Sequence, residues 1–140
     1  MSRPKPLGEL LKNAGIVDDE MIAYALAVQK VSKERLGDNF LRLRLVTADE
    51  VAHTLADQSA APYESLDVVN PETEALAQIP SNFAQKFGVL PLGFEGNYLV
   101  LATDDPYQSD IADRATRFTS WKLKLVSAPA SRLRRAIQRV

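Results

Sequence analysis

The sequence predicts an α+β chain: an N-terminal four-helix unit of two duplicated helical hairpins, then a small mixed α/β subdomain. Three observations carry this. Apolar residues recur at spacings of three and four through the first 58 positions, the pattern changes to strand-like runs after Pro62, and residues 6–29 superpose on residues 35–58 without a gap. The division is expected between a helical subdomain, 1–60, and an α/β subdomain, 61–140.

Leu7, Leu10 and Leu11 give a first short helix, with Gly15 just past it where a left-handed C-cap is wanted. Asp18 and Asp19 offer N-cap oxygens to a second helix, which Met21, Ile22, Ala25 and Leu26 carry to about Gln29. Leu36 to Leu43 form a third. Thr47 with Glu50 makes a capping box for a fourth, running through Val51 and Leu55 to Gln58. Beyond Pro62, residues 66–69 are a short strand candidate and residues 72–77 a helix. Val89, Leu90 and Leu92, then Tyr98 to Leu101, are strand runs joined by Glu95, Gly96 and Asn97, a hairpin signal. Asp104, Asp105 and Pro106 end the second strand and open a helix through about Phe118, with an Asp as N-cap. A strand from Trp121 to Val126 follows, and Ser127 or Pro129 opens a last helix to Val140. The strand-helix-strand order predicts parallel pairing of the Tyr98 and Lys122 strands.

Composition removes most enzyme classes. Of 140 residues 46% are hydrophobic, and the formal charge is −1, so no global field draws the chain to nucleic acid polymer or an anionic membrane. There is no cysteine, hence no disulfide framework, thiolate metal site or thiol nucleophile, and His53 is the single histidine. None of the six glycines precedes Lys-Ser or Lys-Thr, so the phosphate-cradling loop of an ATPase is absent and a non-enzymatic chain is expected. The apolar runs fall short of the roughly 20 residues of a bilayer span, and the N-terminus lacks a signal-like apolar region. A cytoplasmic location without membrane insertion is expected. His53, between Glu50 and Asp57 on a helix, is expected at the surface, and Arg132, Arg134, Arg135 and Arg139 on a solvated basic face. Asp104, Asp105, Asp110 and Asp113 are expected to cap and solvate a helix; no metal or cofactor is expected.

In the repeat, Leu7 and Gly8 fall on Leu36 and Gly37, Leu11 on Phe40, Ile16 and Val17 on Leu45 and Val46, Ile22 on Val51, Leu26 on Leu55, and Gln29 on Gln58. The Leu, Ile and Val positions suit a bundle core. A Gly early in a helix, however, costs about 1 kcal/mol against Ala, so its repetition after Leu says that backbone comes close to another helix or to a ligand.

These residues resemble the N-terminal domain of type II secretion and type IV pilus assembly ATPases, in the cyclic di-GMP-binding form called the MshE N-terminal domain. The resemblance covers nearly the whole chain. It rests on the two 24-residue units joined by five residues, and on Ile79-Pro80, Val89 to Leu92 and the Ala102 to Pro106 turn. It implies a cyclic di-GMP-binding regulatory domain of, or associated with, a secretion or pilus motor. The implied ligand residues are Leu7, Gly8, Leu26, Gln29, Arg35, Leu36, Gly37, Leu55, Gln58 and Asp105. Leucines would face the purines, glycines would let main-chain N–H groups approach, glutamines would bond base or sugar-phosphate edges, and Arg35 would pair with phosphate or stack on guanine. Asp105 would reach a guanine or, on the plainer alternative, cap a helix. Two positions depart from the family pattern: Pro6 stands where it has Arg, and Arg44 where it has Gly. The resemblance also implies an alternative, a ligand-free docking module that recruits an ATPase motor to an inner-membrane assembly protein.

Overall fold

The computed structural model describes residues 7–33, 36–68, 70–107 and 110–140, without the side chains of Leu36 and Asp110. Four helices come first: α1 (Leu7–Asn13), α2 (Asp19–Ser32), α3 (Leu36–Arg42) and α4 (Ala48–Ser59). Asp18 caps α2 by accepting from the Met21 amide at 2.9 Å, and α2 runs three residues past Gln29 before Lys33 ends it with φ +62. Thr47 and Glu50 close the capping box on α4, at 3.1 and 2.9 Å.

The second half holds α5 (Thr73–Leu76), α6 (Ser81–Phe87), β1 (Val89–Glu95), β2 (Tyr98–Thr103), α7 (Asp110–Ala115), β3 (Lys122–Ser127) and α8 (Ala130–Gln138). The sheet order is β1-β2-β3. β1 and β2 are antiparallel around Gly96 and Asn97, with Gly96 at φ +60, and β2 and β3 are parallel from Tyr98 opposite Lys122 to Thr103 opposite Ser127. This is the strand pairing the sequence order requires.

Four details differ from the sequence expectation. Residues 66–68 form no strand, and Val69 lies outside the described residues; the chain instead makes one parallel bridge at Tyr63 to Ser127. Leu66 takes φ +59 with its side chain buried in the core, a left-handed backbone incompatible with a strand. The helix expected from Pro106 to Phe118 is described as α7 alone: residues 106–107 form a turn in which the Asp105 carboxylate accepts from the Tyr107 amide at 3.0 Å, residues 108–109 lie outside the described residues, and the chain leaves the helix after Ala115. Helix α6 was not expected: Pro80 leads into it, Gly88 ends it at φ +65, and Phe83 and Ala84 are its buried face. β3 is displaced by one residue toward the C-terminus.

Two apolar cores form. One gathers Leu7, Leu10, Leu11, Val17, Ala25, Phe40, Val46 and Leu55 inside the four helices; the other packs α5, α6, α7 and α8 around the sheet. Helix α4 touches both β3 and α8. There the buried Ser127 hydroxyl donates to the Ala52 carbonyl at 2.7 Å, satisfying a polar side chain that burial would otherwise penalise.

Candidate functional site

The two 24-residue units fold alike down to single hydrogen bonds. In the first, the amides of Ala14, Gly15 and Ile16 donate to the carbonyls of Leu10, Lys12 and Leu11; in the second, those of Leu43, Arg44 and Leu45 donate to Asn39, Leu41 and Phe40. Each donor and acceptor is shifted by 29 positions. Gly15 has φ +78 and Arg44 φ +59, so the turn demands a left-handed residue in both units even though the second supplies a side chain. The N-caps Asp18 and Thr47 keep the same offset.

The helix contacts have the matching symmetry. Exchanging the units turns α1 into α3 and α2 into α4, and the contacts α1 with α4 and α2 with α3 are interchanged by that operation while α1 with α3 maps onto itself. Where α1 meets α3 a Cβ on Gly37 would lie 2.9 Å from Leu7 Cδ2, so the second unit's glycine makes room for the first unit's leucine side chain. Gly8 is buried in α1.

The residues singled out from sequence fall unevenly around this relation. Leu7 and Leu55 are core residues, whereas Leu26, the repeat partner of Leu55, is 43% exposed. Gln29 is half-buried and Gln58 exposed. Leu36 and Gly37 open α3; Arg35 and Pro6 lie outside the described residues, as does the Leu36 side chain. Asp105 sits two residues past the C-terminal end of β2, its amide donating to Thr103 Oγ1 at 3.1 Å, and the next residue but one, Tyr107, packs against the helical core. The β2 turn thus touches the repeat.

Some of the surrounding polar residues escaped sequence reasoning. Asn39 is fully buried, and its Oδ1 accepts from Ser32 Oγ at 3.1 Å and Arg42 Nη2 at 3.3 Å, tying α2 to α3. Its signal is legible afterwards: it occupies the repeat position of Leu10, an amide where the other unit has a core leucine. Arg132, expected on a solvated face, is instead half-buried and holds both Asp49 oxygens at 3.3 and 3.4 Å, the Ser65 carbonyl at 3.0 Å and Asp67 at 3.1 Å. Tyr63 donates its hydroxyl to Asp49, and its ring stacks on the exposed His53 with centroids 3.7 Å apart. Burial, and then the hydrogen bond to Asp49, push the Tyr63 phenol above its ordinary value. Arg134 reaches Asp38 at 3.7 Å, so α8 grips both α3 and α4. In the first unit the hydrogen bond to Asp19, 2.7 Å away, holds Lys12 above the usual lysine range.

Among the described residues no group of three or more His, Cys, Asp or Glu is arranged to hold a metal, and no helix is long and apolar enough to cross a membrane. What the repeat offers is a pair of near-equivalent helix entrances, each with Leu-Gly at its start and a Gln at the far end of its hairpin.

Comparison with known proteins agrees with this geometry. The chain is 29% identical over 122 residues to bacteriophage adsorption protein B of Escherichia coli K12, covering 87% of this chain and 16% of that protein. It is 32% identical over 132 residues to the type IV pilus assembly ATPase PilB of Thermus thermophilus, covering 93% and 15%. It spans only 15% to 24% of the length of the curated relatives it matches. A solved structure of MshE with cyclic di-GMP superposes with a TM-score of 0.79 at 27% identity, over 96% of this chain and 98% of that one. The N-terminal domain of XpsE has the same fold, with a TM-score of 0.80 at 23% identity, covering 99% and 96%. The sequence pattern of the MshEN domain matches residues 59–140, the interval from the end of α4 through the whole α/β part. The chain belongs to the MshEN domain family.

Proposed function

We propose that this chain is a cyclic di-GMP-binding regulatory domain that works as part of, or bound to, a secretion or pilus assembly ATPase on the cytoplasmic side of the inner membrane, with residues 1–60 as the ligand-binding subdomain and 61–140 as the part that transmits occupancy. The observation that carries the reading is the two-fold relation between the hairpins. Cyclic di-GMP has two guanines and two phosphates related by a pseudo-two-fold axis, and two hairpins with the same local hydrogen bonds offer it two similar half-sites. The likeness to MshE solved with that ligand, at 27% identity over nearly the whole chain, supports it.

Gly8 and Gly37 give main-chain N–H groups access to ligand oxygens, Gln29 and Gln58 bond base or sugar-phosphate edges, and Arg35 pairs with phosphate or stacks on guanine. Leu26, exposed, offers a purine face and the resemblance gives Leu36 the same role, while Leu7 and Leu55 brace the site from the core. Asp105 takes a guanine edge from the β2 turn, coupling the α/β part to the ligand through Tyr107. The domain performs no chemistry itself. Its output is a shift in how the two parts sit together, sustained by the Arg132 and Arg134 contacts between them.

Docking without ligand, holding an inner-membrane assembly protein for a motor, is the second reading, and the burial of Leu7 and Leu55 favours it. Thermal melting separates the two. At cyclic di-GMP a hundredfold above its dissociation constant, binding to the folded state alone adds about 2.7 kcal/mol, a rise of roughly 5–10 °C for a chain of this size. An unchanged melting temperature across a millimolar range contradicts the ligand reading and makes docking the better one.

A further inference from the structure

Between α6 and α7 lies a groove of about 200 Å³, away from the helical repeat and lined by Phe83, Phe87, Phe118, Lys86, Arg114 and Arg117. The aromatic rings form a row: Phe83 and Phe87 have centroids 4.6 Å apart, and Phe118 meets Phe83 edge-on at 5.3 Å. Phe83 belongs to the core, but Phe118 is 44% exposed at the mouth. Lys86 and Arg114 stand over the Phe87 ring, 5.6 and 5.4 Å from its centroid.

Carboxylates neutralise some of the surface cations and leave others bare. Lys12, Lys124, Arg132 and Arg134 each meet a carboxylate, at 2.7 to 3.7 Å. Lys86, Arg114 and Arg117 meet none among the described residues. Placement near helix C-termini accounts for Lys86 and Arg114, which lie in the last turns of α6 and α7. It does not account for an exposed phenylalanine lining the same groove as the three cations. Solvent-facing Phe and Arg around an apolar centre are the residues that carry binding energy in protein interfaces.

We infer that this groove docks an acidic segment of a partner protein that inserts one apolar side chain beside Phe118, its carboxylates meeting Lys86, Arg114 and Arg117. The volume argues for a side chain: it lies below the roughly 300–1,000 Å³ of small-molecule sites. Single-stranded nucleic acid fits less well, because stacking needs an open ring face and two cations already stand over the Phe87 ring. The inference is independent of cyclic di-GMP.

A fluorescein-labelled peptide, Glu-Glu-Asp-Leu-Phe-Glu-Glu, titrated with the full chain at low ionic strength and followed by anisotropy, tests it. Saturable binding is expected, weakened about tenfold or more when Leu-Phe becomes Ala-Ala, when every acid becomes Lys, and in the Arg114→Glu/Arg117→Glu and Phe118→Ser variants. Each variant is first checked for an unchanged melting temperature, with Arg114→Gln/Arg117→Gln replacing the charge reversal if that melts early. Equal binding by the folded variants, no saturable binding by the wild type, or displacement of the peptide by oligothymidylate at equal concentration overturns the inference.

Discussion

Leu7 and Gly37 are in contact where α1 meets α3: a methyl group on Gly37 would stand 2.9 Å from Leu7 Cδ2. Because Leu7 is buried, it has little room to turn aside. Gly37→Ala gains up to about 1 kcal/mol of helix propensity but loses a similar amount in displaced packing, so its stability should stay within about 1 kcal/mol of wild type. With Leu7 already cut to Ala the obstruction is gone, and Gly37→Ala should then stabilise. A double-mutant cycle by urea unfolding should therefore show coupling of about 0.5–2 kcal/mol between the two sites; additivity within 0.3 kcal/mol, the scatter expected of independent sites, would contradict the contact.

Arg44 occupies with φ +59 the turn that Gly15 occupies with φ +78. Arg44→Gly should stabilise the chain by about 0.5–1 kcal/mol, and Gly15→Arg should destabilise it by about as much or more, since the left-handed conformation costs a side-chain-bearing residue roughly 1 kcal/mol. Midpoints of urea unfolding check both, and a loss of stability in Arg44→Gly would show that the Arg44 side chain is worth more than the strain it carries.

Much of the fold was legible because its local signals act alone. Asp18, Thr47 and Glu50 cap helices with their own side chains, Gly15 and Gly96 supply positive φ, and the order of β2, α7 and β3 dictates a parallel pair. What escaped depends on the tertiary structure. Residues 66–68 have strand-like side chains, yet Leu66 is drawn into the core at φ +59, an outcome set by what lies beneath it. Helix α6 is too short for periodicity to declare, although Pro80 and Gly88 bracket it. Within the repeat, pairing Leu26 with Leu55 was plain, but the exposure of one and burial of the other was not. Nor did a basic helix reveal that Arg132 would reach across to Asp49.

Tyr63, Asp49 and Arg132 join α4 to the segment after it and to α8, and this joint should be sensitive to alkali. The folded Tyr63 phenol is held above the ordinary value of 10 by burial and by its bond to Asp49. Neutral Tyr63 therefore contributes stability that is fully present below pH 10, where the unfolded phenol is also neutral, and is lost as pH rises toward and through the folded value. Wild type should exceed Tyr63→Phe by about 0.5–1.5 kcal/mol at pH 8, the usual worth of one hydrogen bond, and the gap should shrink between pH 10 and 11. A gap that stays constant over that range would contradict the assignment.

Pro6 stands where the family pattern has Arg, while Arg35 keeps it in the second unit. Arg35→Ala should weaken cyclic di-GMP binding by about 1.5–3 kcal/mol, the range for a hydrogen bond to a charged group, and Pro6→Arg should strengthen it. Equilibrium dialysis with labelled ligand checks both; equal affinities in all three proteins would mean that neither unit recognises phosphate through its first residue.

Isothermal titration calorimetry of cyclic di-GMP into the wild type, Gln29→Ala and Gln58→Ala tests most directly whether both hairpins hold one ligand. The account predicts one saturable site per chain, with each substitution weakening binding by at least about threefold while leaving the melting temperature of the free protein unchanged. No saturable heat at high micromolar ligand in the folded wild type, or a loss confined to one glutamine with the other substitution silent, would contradict it.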